Sequence, residues 1–294
     1  MITYFNSLVL PASWQAVFFL AVLGLVVGSF LNVLILRLPV MMTRAWEQEM
    51  QDFIVQKNDQ DIGLNEKNER PTFNLFLPRS HCPHCLNVIP AIALVPVLSW
   101  ICLRGLCAQC KGPISPRYPL IELLTAGLSG AAGFCWGGSP MAFAALAFIW
   151  ALIALAFIDI DTLFLPDTLT QPLLWLGLIV NASGGFVPFE MAFWGAVWGY
   201  LSLWILYWLF RFSTGKEGIG QGDFKLLAAL GAWLGWQSLP ALLLIASLAG
   251  AGYGLLGMIL AGFTRQTPIP FGPFLALSGL IMLFFPFLSG VLVS

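Results

Sequence analysis

The chain has 294 residues, of which 59% are hydrophobic and only 9% charged, with a net charge of −1. Soluble domains carry about 25% charged residues, so this composition excludes an ordinary soluble globular domain and points to a polytopic membrane protein. The balanced charge leaves no electrostatic footprint for nucleic acid.

Residues 1–13, MITYFNSLVLPAS, contain no Lys or Arg. No basic n-region marks a cleavable signal peptide, and the first span is expected to be retained. A crossing needs about 20 apolar residues. The runs fall at 14–36, 118–137, 141–158, 168–183, 189–211, 223–238, 240–263 and 271–292. The pattern predicts an all-α polytopic membrane protein with about eight transmembrane helices. It divides into a first helix at 14–36, a polar loop domain at 37–117 and a seven-helix membrane domain at 118–292. Pro140, Pro166, Pro188, Pro240 and Pro270 fall between runs, where proline ends helices at little cost. No tandem repeat is evident.

Nine of the thirteen basic residues lie between Arg37 and Arg117; the others are Arg211, Lys216, Lys225 and Arg265. With eight spans and a cytoplasmic 37–117 loop, all thirteen fall on the cytoplasmic side. Both termini are then expected outside, in the periplasm of a bacterium. The stretch from Arg44 to Arg70 is charged and amide-rich, as expected of a solvated helix followed by a loop.

The loop carries HCPHC at 81–85 and LCAQC at 106–110, giving Cys82-x-x-Cys85 and Cys107-x-x-Cys110 with twenty-one residues between them. Two such knuckles suit a closed tetrahedral zinc site of four thiolates. A reducing compartment disfavours disulfides. A closed site holds a loop together and has no open position for chemistry. Cys102 and Cys135 read as packing residues.

Seven carboxylates lie outside the loop: Glu122, Asp159, Asp161, Asp167, Glu190, Glu217 and Asp223. Ionisable groups at membrane depth are functional candidates by default. Asp159 and Asp161 end the third run, in AFIDIDTLFLPD. Asp223 begins the sixth, in GIGQGDFKLLAALGAWLG. Both points fall at the cytoplasmic surface, so the two can meet. A pair of carboxylates can share a proton and run acid–base hydrolysis. Gly218, Gly220 and Gly222 would let an extended peptide pass close to Asp223. Glu122, opening the second span, suits either a helix dipole or a cationic ligand. Lys225 lies near Asp223, where it could balance local charge or contact substrate. A proton-coupled transporter, or a non-catalytic membrane assembly factor docking through its cysteine loop, fits the same residues. Peptide cleavage by the purified protein, and its loss in aspartate-to-asparagine variants, separates the three.

Together, GSFLNVLILRLP at 28–39, the two cysteine pairs in CPHCLNVIPAIALVPVLSW and CAQCKGPISPRYPLIELLTA, IDIDTLFLPD at 158–167 and GIGQGDFKLLAALGAWLGW at 218–236 resemble the type IV prepilin peptidases. The resemblance covers nearly the whole chain. It implies a GxGD-type aspartic endopeptidase of the bacterial inner membrane, with Asp159 and Asp223 catalytic and Asp161 as the alternative to Asp159. The implied substrates are prepilins and type II secretion pseudopilins, cut at the cytoplasmic face after a glycine that ends a basic leader. It also implies N-methylation of the new N-terminus by S-adenosylmethionine, although no G-x-G-x-x-G loop marks a donor site. Cys82, Cys85, Cys107 and Cys110 map to the family's cysteines. Membrane lipid is the surrounding partner and no nucleic acid is implied. Neither the pilins processed nor the oligomeric state is given by the sequence.

Overall fold

The computed structural model describes residues 14–58, 73–90, 94–215, 220–264 and 267–288. The acidic stretch 59–70, and Lys216, Glu217, Gly218 and Arg265, lie outside them. Among the described residues the chain is helical, with only two isolated β-bridges. The helices are α1 Trp14–Asn58, α2 Leu98–Cys102, α3 Arg117–Trp136, α4 Pro140–Thr162, α5 Asp167–Ala182, α6 Phe189–Thr214, α7 Gln221–Leu234, α8 Leu239–Leu260 and α9 Gly272–Phe284. A 3-10 turn, Trp236–Ser238, joins α7 to α8. Five segments are long and apolar enough to cross a membrane: Trp14–Ile54, α3, α4, α6 and Trp236–Leu260. Each apolar run of the sequence falls on one of the helices, but α5, α7 and α9 are short.

The first helix does not stop at residue 36. It continues through Pro39 to Asn58. The change from apolar to polar marks where lipid would end, not where the helix ends. MMTRAWEQEMQ, just beyond, is made largely of good helix formers. Pro39 removes one backbone donor, and the Thr43 hydroxyl bonds the Pro39 carbonyl at 2.9 Å.

The chain forms two compact units, Leu25–Leu124 and the remainder. In the larger unit the core helix is α7. From Asp223 to Trp233 all its residues but Lys225 are buried, as expected of a helix apolar on every side. It packs on α5, α6 and α9. Gly195 and Gly199 of α6 form a small-xxx-small face against it. A Cβ at Gly199 would stand 2.7 Å from the Leu227 carbonyl, and one at Gly195 would overlap the Gly231 carbonyl. Small residues let helix backbones approach this closely. Asn181 of α5 caps the other end of α7, donating to the Ala232 and Trp233 carbonyls at 2.8 and 3.1 Å. Trp233 returns a bond from Nε1 to the Leu173 carbonyl at 2.8 Å, its ring lying where a Cβ on Gly177 would be. These contacts fix α7, and with it Asp223.

Candidate active site and four-cysteine centre

Leu163, at φ 54°, closes α4 in the left-handed conformation, its N–H bonding the Asp159 carbonyl. Pro166 then caps α5. Asp159 therefore sits in the last turn of α4, and it is only 5% exposed. Asp161, two residues on, points elsewhere, because i and i+2 do not share a helix face; it is exposed.

Asp223 is the third residue of α7, after the N-cap Gly220, and is 8% exposed. The Gly220 N–H donates to its carboxylate, and the Asp223 N–H bonds the Gly220 carbonyl at 3.2 Å. An acid at N3 reaching back to the cap is half of a capping box, and the helix dipole favours a negative group there. Asp159 and Asp223 lie within electrostatic reach of each other. Leu165, from the segment between α4 and α5, packs directly on Gly222, where a Cβ would meet its Cβ at 2.7 Å. Lys225 makes a bidentate pair with Asp167, 2.7 Å to each oxygen. That pair joins the N-terminal ends of α5 and α7, so the charge of Lys225 is balanced within the protein.

One participant has no counterpart among the residues singled out by sequence. The N–H of Gly272, the first residue of α9, donates to Oδ2 of Asp159 at 2.9 Å. A glycine between Pro270 and Pro273 at a helix start was the available signal, but a backbone donor leaves no motif of its own. Two buried carboxylates in electrostatic contact can share a proton, activate water with one member and protonate a carbonyl with the other.

In the smaller unit the four cysteines come together, all Sγ atoms within 4.8 Å of one another. Cys82 and Cys110 Sγ are 3.8 Å apart, too far for a disulfide. A tetrahedron with Zn–S bonds of about 2.3 Å has edges of about 3.8 Å, so the cluster fits a metal ion. The two knuckles repeat one backbone pattern. Cys82 N bonds Asn87 O and Cys107 N bonds Gly112 O; Leu86 N bonds Cys82 O and Lys111 N bonds Cys107 O; Ile89 N bonds Ser80 O and Ile114 N bonds Gly105 O. Leu86 and Lys111 share a φ of 58°. The repeat is invisible to a search for tandem sequence, because only the cysteines and the isoleucine recur. The Cys110 and Gln109 amides draw the Cys107 thiol down to about 6. Against the Gly112 amide, burial and the neighbouring thiols push Cys110 up to about 11. The cluster thus yields one thiolate readily, and a cation would displace the remaining protons.

Glu122, 7% exposed, is engaged by protein. Its Oε2 accepts the Val97 N–H at 2.7 Å, and Ser29 bonds the same carboxylate. Val97 has φ 59° and ψ −50°, and Leu98 N bonds Pro96 O at 2.5 Å. This is a γ-turn of the rare, strained hand, held on a β-branched residue. It starts α2, whose Trp100 donates to the Ile114 carbonyl at 3.2 Å and covers Gly105. Glu122 thereby ties α3 to the second knuckle.

Profiles of two protein families match the chain: the Type IV leader peptidase family over residues 146–255 and the Bacterial Peptidase A24 N-terminal domain over 22–136. The chain is 53% identical to a prepilin leader peptidase/N-methyltransferase of Aeromonas hydrophila, over 88% of this chain and 87% of that one. It is 51% identical to one from Stutzerimonas stutzeri, over 89% and 88%. With the equivalent from Pseudomonas aeruginosa it shares 49%, over 89% and 87%. No solved structure matches. Asp159 and Asp223 both fall inside the peptidase match and all four cysteines inside the N-terminal one, and the chain belongs to the type IV leader peptidase family.

Proposed function

We propose that this protein is a membrane aspartic endopeptidase that removes the leader from type IV prepilins and type II secretion pseudopilins, and then N-methylates the new N-terminus. The observation that carries the reading is the meeting of two buried aspartates, Asp159 and Asp223, from helix ends sixty-four residues apart. It supports Asp159 over Asp161, because only Asp159 faces the partner carboxylate. One carboxylate takes a proton from water as its oxygen attacks the scissile carbonyl, while the other protonates the carbonyl oxygen. Collapse of the tetrahedral adduct returns a proton to the leaving amine. Cleavage is after a glycine, at the cytoplasmic end of an eight-span inner-membrane bundle with both termini periplasmic.

Cys82, Cys85, Cys107 and Cys110 hold a structural zinc ion, whose closed thiolate shell leaves no position for substrate. Methylation draws its methyl group from S-adenosylmethionine. We place that activity in the unit that carries the cysteines, separate from the aspartates. The test is to incubate purified protein with a prepilin and S-adenosylmethionine and to weigh the products. Loss of the leader, followed by a gain of 14 Da for one added methyl group, is expected. Transport of protons in liposomes with intact prepilin would overturn the reading.

A further inference from the structure

We infer that Gly272 is a positioning residue of the aspartate pair, acting through its backbone amide. The inference rests on the proteolytic reading above and assigns a role that no side-chain motif predicts. The bond from Gly272 N to Asp159 Oδ2 is buried and links positions 113 residues apart. Helix N-termini carry amides with no partner inside the helix. In α9 that supply is small. Pro273, the second residue, has no N–H, and Phe274 and Leu275 both donate to the Phe271 carbonyl. The Gly272 amide is thus directed out of the helix and spent on Asp159. It fixes Oδ2 and, among the described residues, leaves Oδ1 without a hydrogen bond. Oδ1 is then the oxygen available to water.

The missing side chain matters as much as the amide. A Cβ at position 272 would lie 2.7 Å from Asp159 Oδ2, 3.1 Å from Asp159 Cγ and 3.2 Å from Leu165 Cδ2. Leu165 also packs on Gly222, beside Asp223. One leucine and one glycine therefore set how close α9 comes to both acids. The start of α9 is itself held from behind, where Phe274 meets the Tyr253 ring of α8 at 5.7 Å between centroids.

The test compares two glycines of α9. Gly272→Ala adds a methyl group against the carboxylate. Gly279→Ala adds one against Leu230 and Leu152, at 2.6 and 3.2 Å, away from the aspartates. Full-length protein in detergent is assayed for prepilin cleavage and for Tm. Relieving a 2.7 Å contact requires a shift of roughly half an ångström or more, and misplacement by about 1 Å can cost roughly 100-fold. Gly272→Ala is expected to lower kcat about 30- to 100-fold with KM within twofold. Gly279→Ala is expected to lower Tm and leave kcat within twofold. If Gly272→Ala also lowers Tm, Leu165→Ala in the same chain makes room on the leucine side. It should recover Tm without recovering kcat beyond that of Leu165→Ala alone. Wild-type kcat in Gly272→Ala, or losses of kcat that track Tm equally at both glycines, would overturn the inference. Inactive wild-type protein would instead overturn the proteolytic reading.

Discussion

Removing the Glu122 carboxylate should release the segment that leads into the second cysteine knuckle. In Glu122→Ala the Val97 N–H loses a 2.7 Å bond to a carboxyl oxygen. Leaving such a donor without its acceptor costs about 1–3 kcal/mol. At about 1.4 kcal/mol per tenfold, the open population of the turn should rise roughly 5- to 150-fold. The turn is predisposed to open, since Val97 occupies backbone angles that cost about 1–3 kcal/mol. Glu122→Gln keeps an acceptor oxygen, so an effect several-fold smaller is expected. Hydrogen exchange read by mass spectrometry over 97–106 measures this directly, because Gly105 N bonds Trp100 O at 2.8 Å and depends on α2. Trypsin cutting after Arg104 gives an independent rate. Exchange within twofold of wild type in Glu122→Ala would refute the claim that this carboxylate holds the turn.

Asp159→Asn and Asp223→Asn should each lower prepilin cleavage by at least about 100-fold, the lower end of general acid–base effects, with Asp161→Asn within a few-fold of wild type; mass spectrometry of the products decides, and an inactive Asp161→Asn beside an active Asp159→Asn would reverse the assignment. Asp223→Asn should still methylate a pilin supplied already cut, and loss of both activities in folded protein would mean one shared site. Elemental analysis should find about one zinc per chain, falling in Cys82→Ser and Cys107→Ser. That zinc should also dissociate as pH falls, since protons compete for the thiolates; full metal content in either variant would sink the four-thiolate site. Lys225→Met and Asp167→Asn should each cost no more than about 1 kcal/mol, because the pair is partly exposed and screened, and a thermal melt showing a much larger loss would reveal a further role.

The hydropathy of the chain was enough to locate its apolar helices, though not α2 within the polar loop, because apolar runs and proline breaks report directly on what can be buried. It could not show that α1 continues to Asn58, since helix geometry outlasts the apolar pattern. Asp159 and Asp161 are equivalent as letters. Only the 3.6-residue period, with the end of α4 fixed at Leu163, turns one inward and the other out. The cysteine cluster was legible because thiolate spacing is itself a geometric constraint. Its internal duplication was not, since it is written in backbone bonds. Gly272 and Val97 share that concealment: each acts through an N–H, which every residue but proline possesses. The pairing of Lys225 with Asp167 depends on how α5 and α7 dock, which no local pattern encodes.

The short helices have a consequence for where water can go. α5, α7 and α9 have 16, 14 and 13 residues, or roughly 24, 21 and 20 Å at 1.5 Å per residue. The hydrocarbon layer is roughly 30 Å thick. α4 and α6, with 23 and 26 residues, exceed that thickness, and the three short ones fall below it. Such a mismatch is met by thinning the bilayer or by wetting the ends of the short segments. Asp167, Gly220 and Gly272 stand at those ends, and the two glycines touch the carboxylates. Water that wets those ends then reaches the aspartates without crossing the full thickness of the layer. A hydrolase built this way needs no channel through its core, because its solvent arrives at the ends of its own short helices.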